Sequence, residues 1–114
     1  MKIKTLKKRK DFVLSNKFGQ KSFNKNFILQ KFSSTDQNNL DLMFGFTATK
    51  KIGNAVKRNR AKRRMRALIS IFLKDKAYWF DDTSTYILIA KKSLIKASFL
   101  DLKAEMKECL YKLW

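Results

Sequence analysis

Gly-Asn-Ala-Val-Lys-Arg-Asn-Arg-Ala-Lys-Arg-Arg-Met-Arg-Ala-Leu-Ile-Ser-Ile-Phe-Leu, residues Gly53 to Leu73, reads as one helix with two unlike faces. Asn54 is suited to the N-cap, and the helix is expected from about Ala55 to Leu73. At 100° per residue Ala61, Met65, Leu68, Ile69 and Phe72 share one side, while Asn59, Arg60, Arg63 and Arg66 lie opposite. The helix therefore buries one face and presents cations on the other. Its first turns, Lys57 to Arg60, are polar nearly all round and project beyond the core. Five of the chain's six arginines (Arg58, Arg60, Arg63, Arg64 and Arg66) fall within nine residues, in a protein that otherwise carries its positive charge on lysine. Lysine would serve for solubility; the switch to a planar five-donor fork implies oriented contacts, above all with phosphate.

Working outward, Gly53 ends a strand expected over Leu40 to Thr49, preceded by the polar loop Ser33 to Asn39 and the strand Phe27 to Phe32. These two strands are expected to pair as antiparallel neighbours. Thr85 to Ala90 is almost continuously apolar and reads as a central strand. Ser98 and Asp101 have capping-box spacing before a last helix, whose Phe99, Leu102, Met106, Cys109, Leu110 and Leu113 make an apolar stripe. A short helix over Lys7 to Phe18, closed by Gly19, completes the order helix, strand, strand, helix, strand, helix. The expected fold is α+β, an α/β sandwich in which a small, mostly antiparallel sheet of about four strands is covered by helices. Residues 1–114 fit a single domain.

The balance of 27 Lys+Arg against 9 Asp+Glu gives a formal charge of +18. Such an excess opposes compaction unless a polyanion accompanies the protein, so RNA, DNA or an anionic membrane are the candidate partners. Biased base composition in the gene is an alternative explanation for some of the lysine, and a poorer one for the clustered arginines. Lys50 to Arg66 holds Lys50, Lys51, Lys57, Arg58, Arg60, Lys62, Arg63, Arg64 and Arg66 without an acid, and the whole stretch between Asp41 and Asp75 is acid-free. A solvated helix face would interleave Glu with Lys at i, i+4; here nothing relieves the repulsion. A nucleic-acid surface is the favoured reading, against a solvated face, a localisation-like basic tract or a membrane contact. The membrane reading is the weakest, because the core needs the helix's narrow apolar stripe.

Protein-based catalysis finds little support. The chain has no histidine, its carboxylates are scattered, and none falls in the cationic segment where a phosphodiester would sit. For the adjacent Asp81 and Asp82 a loop or capping role outweighs a metal site, and the single cysteine, Cys109, reads as packing. With no disulfide possible, no signal-like h-region and no apolar run of membrane-spanning length, a cytoplasmic protein is expected. Nothing calls for an obligate protein partner. Several of the ten phenylalanines (Phe12, Phe18, Phe23, Phe27 and Phe32) alternate with Lys8, Arg9, Lys10, Lys17, Lys21, Lys25 and Lys31, an arrangement suited to stacking single-stranded bases. For any one ring the core is an equal alternative, and Phe27 in particular looks internal.

Lys50 to Arg66, with Arg58-Asn59-Arg60 at its centre, resembles the signature of the bacterial ribonuclease P protein subunit. Lys10-Asp11-Phe12 followed by Gly19 is similar to that family's N-terminal helix, and Thr85 to Lys92 to its strand ending in basic residues. The resemblance implies a protein that binds a large catalytic RNA, the pair removing the 5′ leader from precursor tRNA by endonucleolytic cleavage. Cleavage would belong to the RNA and its Mg²⁺, and this chain would hold no catalytic residue or metal of its own. It implies RNA contact by Lys50, Lys51, Lys57, Arg58, Asn59, Arg60, Lys62, Arg63, Arg64 and Arg66. Leader contact falls to a cleft between the N-terminal helix and the sheet, through Phe12, with Lys8 and Arg9 steering. Two aromatic positions of some members fall at Asn16 and Gln30 here, and Phe18 and Phe32 are the nearest substitutes. The resemblance also implies a left-handed crossover between the parallel strands flanking the arginine-rich helix, where chain chirality alone favours a right-handed one. The competing readings are another basic RNA-binding module, such as a ribosomal or RNA-chaperone protein, and a self-sufficient nuclease.

Overall fold

Ser84–Ala90 is apolar on both sides of the strand, and it occupies the middle of the sheet. The computed structural model describes Thr5 and residues 19–33, 42–75 and 79–114. The helix expected over Lys7 to Phe18, and most of the loop from Ser33 to Asn39, lie outside the described residues. In chain order the elements are β1 (Gln20–Phe23), β2 (Phe27–Ser33), β3 (Met43–Thr47), α1 (Ala55–Lys74), β4 (Ser84–Ala90) and α2 (Phe99–Leu113). Short 3-10 turns at Lys50–Ile52 and Lys92–Ile95 lead into the two helices.

The four strands are ordered β1-β2-β4-β3. β4 pairs antiparallel with β2 and parallel with β3, with Phe27 opposite Ala90 and Met43 opposite Thr85. β2 and β3 are therefore not the neighbours expected, because β4 lies between them. The physical reason is burial: β2 is interrupted by Gln30 and Lys31 and β3 is only five residues long, whereas β4 is buried on both faces along most of its length, so β4 gains most from two flanking strands. The parallel β3–α1–β4 crossover is present.

Alternation assigns the sheet two faces. Phe27, Leu29, Phe44, Phe46, Tyr86, Leu88 and Ala90 face one way and form a single core with Ala61, Met65, Leu68, Ile69 and Phe72 of α1 and Leu102, Met106, Cys109, Leu110 and Leu113 of α2. Ile28, Gln30 and Phe32 of β2 face the other way, with Ile87 of β4. Both helix stripes match the sequence reading, and both caps do. Asn54 Oδ1 accepts the Lys57 N–H at 3.0 Å, and Ser98 Oγ accepts the Asp101 N–H at 3.1 Å.

β1 is the strand that propensity does not reveal. Gln-Lys-Ser-Phe carries one aromatic and no β-branched residue, and it forms because the next three residues close a hairpin. Asn24 Oδ1 accepts the backbone N–H of both Asn26 and Phe27 at 2.9 Å, the side chain standing in for a backbone turn.

Asp81 organises the entry to β4. Its carboxylate accepts from the Thr83 N–H at 3.0 Å, the Thr83 hydroxyl at 2.8 Å and the Ser84 hydroxyl at 2.9 Å, and lies 3.6 Å from Lys31 Nζ. The Thr83 bonds are the main reason its pKa falls from 3.8 to about 2. The Tyr86 hydroxyl, which accepts the Asp81 N–H at 2.8 Å, is pushed up from 10.0 to about 12, chiefly by burial. The signs bracket the stable range. A carboxyl depressed in the fold stabilises above its unfolded pKa and loses that effect as pH falls through about 2; a phenol raised in the fold stabilises below pH 10 and loses it as pH rises towards about 12. Asp81→Asn is expected to cost about 1–2 kcal/mol at neutral pH after allowance for solvent screening. Thermal unfolding of both proteins should show that difference shrinking between pH 4 and 2; a difference constant with pH would separate Asp81 from acid stability.

Candidate nucleic-acid interface

The turn before α1 sets the direction of the cationic helix. Gly53 adopts φ 139°, a region that favours glycine, and a Cβ there would stand 2.7 Å from Lys57 Cδ. The chain then turns into α1, where Asn54 satisfies one orphan donor, the Lys57 N–H, and no acid lies in the first turn. Cations therefore accumulate at the positive end of the helix dipole, which disfavours the free protein and favours a bound anion.

Around α1 the candidate residues divide by position. Lys50, Lys51, Lys57, Asn59, Arg60, Lys62, Arg63 and Arg66 are exposed. Arg66 lays its guanidinium 5.6 Å from the Phe46 ring, at the junction of helix and sheet. Arg58 is half-buried, and its Nε is enclosed without a hydrogen-bond partner, so its outward donors are the terminal nitrogens.

Arg64 departs from the group. Its Nε donates to the Leu94 carbonyl at 3.1 Å, one terminal nitrogen donates to the Ala97 carbonyl, and the guanidinium stacks 4.7 Å from the Phe99 ring. Burial, reinforced by the Arg60 charge, lowers its pKa below the ordinary guanidinium value, although a guanidinium stays protonated at neutral pH. Its fork is occupied by the protein's own backbone. The signal was present in the spacing: Arg64 follows Ala61 by three residues and precedes Leu68 by four, which puts it on the flank of the apolar stripe. Arg58 precedes Ala61 by three and shares that flanking character.

Of the leader-contact candidates, Phe32 is half-buried on the sheet face turned away from α1 and α2, beside Gln30 on the same face. Phe12, Phe18, Lys8 and Arg9 lie outside the described residues. Lys31, grouped by sequence with the N-terminal rings and cations, points to the core side: its Nζ donates to the Leu113 carbonyl at 3.0 Å and sits 4.9 Å from the Trp114 ring, tying β2 to the end of α2. Phe27 is fully buried, as its sequence suggested.

The family model described as Ribonuclease P matches residues 1–114. The chain belongs to the ribonuclease P protein family. Similar relatives include the ribonuclease P protein component of Bacillus pumilus, 34% identical over 107 residues that cover 94% of this chain and 85% of that protein. The component from Syntrophus aciditrophicus is 34% identical over 112 residues, covering 97% of this chain and 87% of its own. Among solved structures, the RNase P protein of Staphylococcus aureus superposes with a TM-score of 0.76 at 23% identity, covering 97% of this chain and 95% of that one. The RNase P protein of Thermotoga maritima does so with a TM-score of 0.76 at 20% identity, covering 97% and 98%. These structures share the mixed α+β fold. Membership in the ribonuclease P family implies a role in tRNA 5′ processing, as part of an endoribonuclease. No helix among the described residues is long and apolar enough to cross a membrane.

Proposed function

We propose that this chain is the RNA-docking subunit of ribonuclease P, binding the catalytic RNA through the outward face of α1 and the 5′ leader of precursor tRNA on the far side of the sheet, in the cytoplasm. The observation that carries the reading is the acid-free stretch from Lys50 to Lys74, whose Lys57, Arg60, Lys62, Arg63 and Arg66 stand exposed along one helix. Phosphates are the ligands that relieve this repulsion, and a folded RNA offers them at helical spacing. Arg60, Arg63 and Arg66 supply forks for bidentate contacts, Lys50, Lys51, Lys57 and Lys62 supply point charges, and Asn59 hydrogen-bonds backbone or base edges. Phe32, on the face opposite the helices, is the proposed leader contact among the described residues; Phe12, Phe18, Lys8 and Arg9, the other leader candidates, lie outside them.

Bond breaking is assigned to the RNA and Mg²⁺ held by the RNA. Among the described residues no three His, Cys, Asp or Glu side chains converge on one point, and Asp81, of the adjacent pair Asp81 and Asp82, is occupied by Thr83 and Ser84.

A reconstitution assay tests the proposal. Precursor tRNA is incubated at low Mg²⁺ with a ribonuclease P RNA alone, with the protein alone after nuclease treatment, and with both. Leader removal only in the mixture is the expected result. Cleavage by the protein alone would make it a nuclease, and a mixture no faster than RNA alone would make it a different RNA-binding module.

A further inference from the structure

Arg64 is one of several side chains that hold the inward side of the turn joining β4 to α2. Leu94 is fully buried in the core. The Ser93 hydroxyl is 2.7 Å from Asn26 Oδ1 and 3.0 Å from the Lys25 carbonyl, and Lys91 Nζ donates to the Asn24 carbonyl. Arg64 closes the remaining side through Leu94 and Ala97. With these inward contacts made, what remains outward is cationic: Lys92 and Lys96 are exposed on the turn, with Lys25 exposed on the hairpin that abuts it. The sequence has no acid from Thr83 to Leu100. Of the α2 carboxylates, Glu105 accepts two hydrogen bonds from Asn26, while Asp101 and Glu108 are exposed.

The turn is also continuous with the arginine face. Arg60 stands one helical turn before Arg64 and close enough for its charge to act on it, so the exposed Arg60 and the lysines of the turn flank the same half-buried guanidinium. Two cationic surfaces that loose loops would let drift apart are fixed in register. Fixing them before binding removes the ordering cost that flexible lysines otherwise impose.

We infer that Lys92 and Lys96, with Lys25 beside them, form a second docking surface for the backbone of the catalytic RNA, and that Arg64 is the positioning residue that locks this surface to the α1 face. The inference rests on the proposed RNA-docking role of α1. Its partner is the catalytic RNA rather than the substrate, because the turn borders α1 and not the sheet face that carries Phe32.

The test is equilibrium binding of the full chain to a ribonuclease P RNA over a range of salt, for the wild type, K92A/K96A, R60A/R63A and R64M, with the K92A/K96A change repeated in the R64M background. K92A/K96A is expected to flatten the log–log salt slope by about 1–2 and to weaken binding about ten- to a hundredfold at 0.1 M salt. In the R64M background the same pair should matter less, since the turn is no longer locked. Should Arg64→Met fail to fold, Arg64→Lys keeps the charge and removes the fork. Wild-type affinity and slope for K92A/K96A, alongside weakened R60A/R63A, would overturn the second surface and leave the helix reading intact. Wild-type behaviour of both pairs would overturn both readings. Unchanged assembly with lowered affinity of the holoenzyme for precursor tRNA would move the lysines to the substrate and also overturn the inference.

Discussion

Reversing the charge at two α1 positions, Arg60→Glu with Arg63→Glu, is expected to weaken binding of the catalytic RNA at least a hundredfold at 0.1 M salt. Leaving two phosphates without their cations, and so forgoing the counterion release that each brings, accounts for about that factor, and the introduced carboxylates add repulsion against the same backbone. The fold should be indifferent. Both side chains are exposed, and neither belongs to the apolar stripe of Ala61, Met65, Leu68, Ile69 and Phe72, so a stability change within about 0.5 kcal/mol is expected. Two carboxylates in an acid-free helix also relieve like-charge repulsion, which acts in the stabilising direction. Filter binding or fluorescence titration measures the first quantity and thermal unfolding the second. RNA binding retained within a few fold would remove these arginines from the interface, and loss of folding would make them structural.

Asn26→Ala is expected to produce the largest loss of stability among single polar substitutions in the described residues. Asn26 is 3% exposed and sits where the β1–β2 hairpin, the end of β4 and the middle of α2 meet. Its amide donates to both Glu105 oxygens, at 2.8 and 2.9 Å, its carbonyl oxygen accepts from Ser93, and its backbone oxygen accepts the Lys91 N–H at 2.9 Å. Truncation leaves a half-buried carboxylate without its donors and the Ser93 hydroxyl without one acceptor. Hydrogen bonds to a charged group contribute about 1.5–3 kcal/mol and a neutral one about 1, so a total near 3 kcal/mol follows. At this chain length such a loss lowers Tm by roughly ten degrees or more. A Tm unchanged by Asn26→Ala would mean that water replaces the side chain at no cost and that the three elements are joined by apolar packing alone.

The parts of the fold that were legible in the chain are those set by local periodicity. Ala61 to Phe72 and Leu102 to Leu113 repeat at helical spacing, and Asn54 and Ser98 are side chains whose chemistry starts a helix wherever they stand before one. The unbroken apolar run of β4 likewise fixed it at the centre. Pairing is different in kind. Which strand lies beside β2 depends on competition for two-sided burial between segments far apart in the chain, and no short-range pattern records that β4 displaces β3. β1 was hidden for a related reason: its stability resides in the Asn24 turn and the β2 ladder rather than in Gln-Lys-Ser-Phe. At the candidate site, the outward aim of Arg60 and Arg63 followed from the helical wheel. The spacing put Arg64 on the flank of the apolar stripe, but its partners, the Leu94 and Ala97 carbonyls, belong to a turn far along the chain and were not legible. Charge and residue type cannot separate a fork that meets phosphate from one that meets the protein's own backbone.

The central claim is that the exposed cations of α1 dock a folded RNA through its phosphates. Its most direct measurement is the affinity of the full chain for a ribonuclease P RNA between about 50 and 400 mM salt. With about six phosphates neutralised, the slope of log affinity against log salt is expected to be about −4 or steeper. A slope near zero, at any affinity, would contradict it.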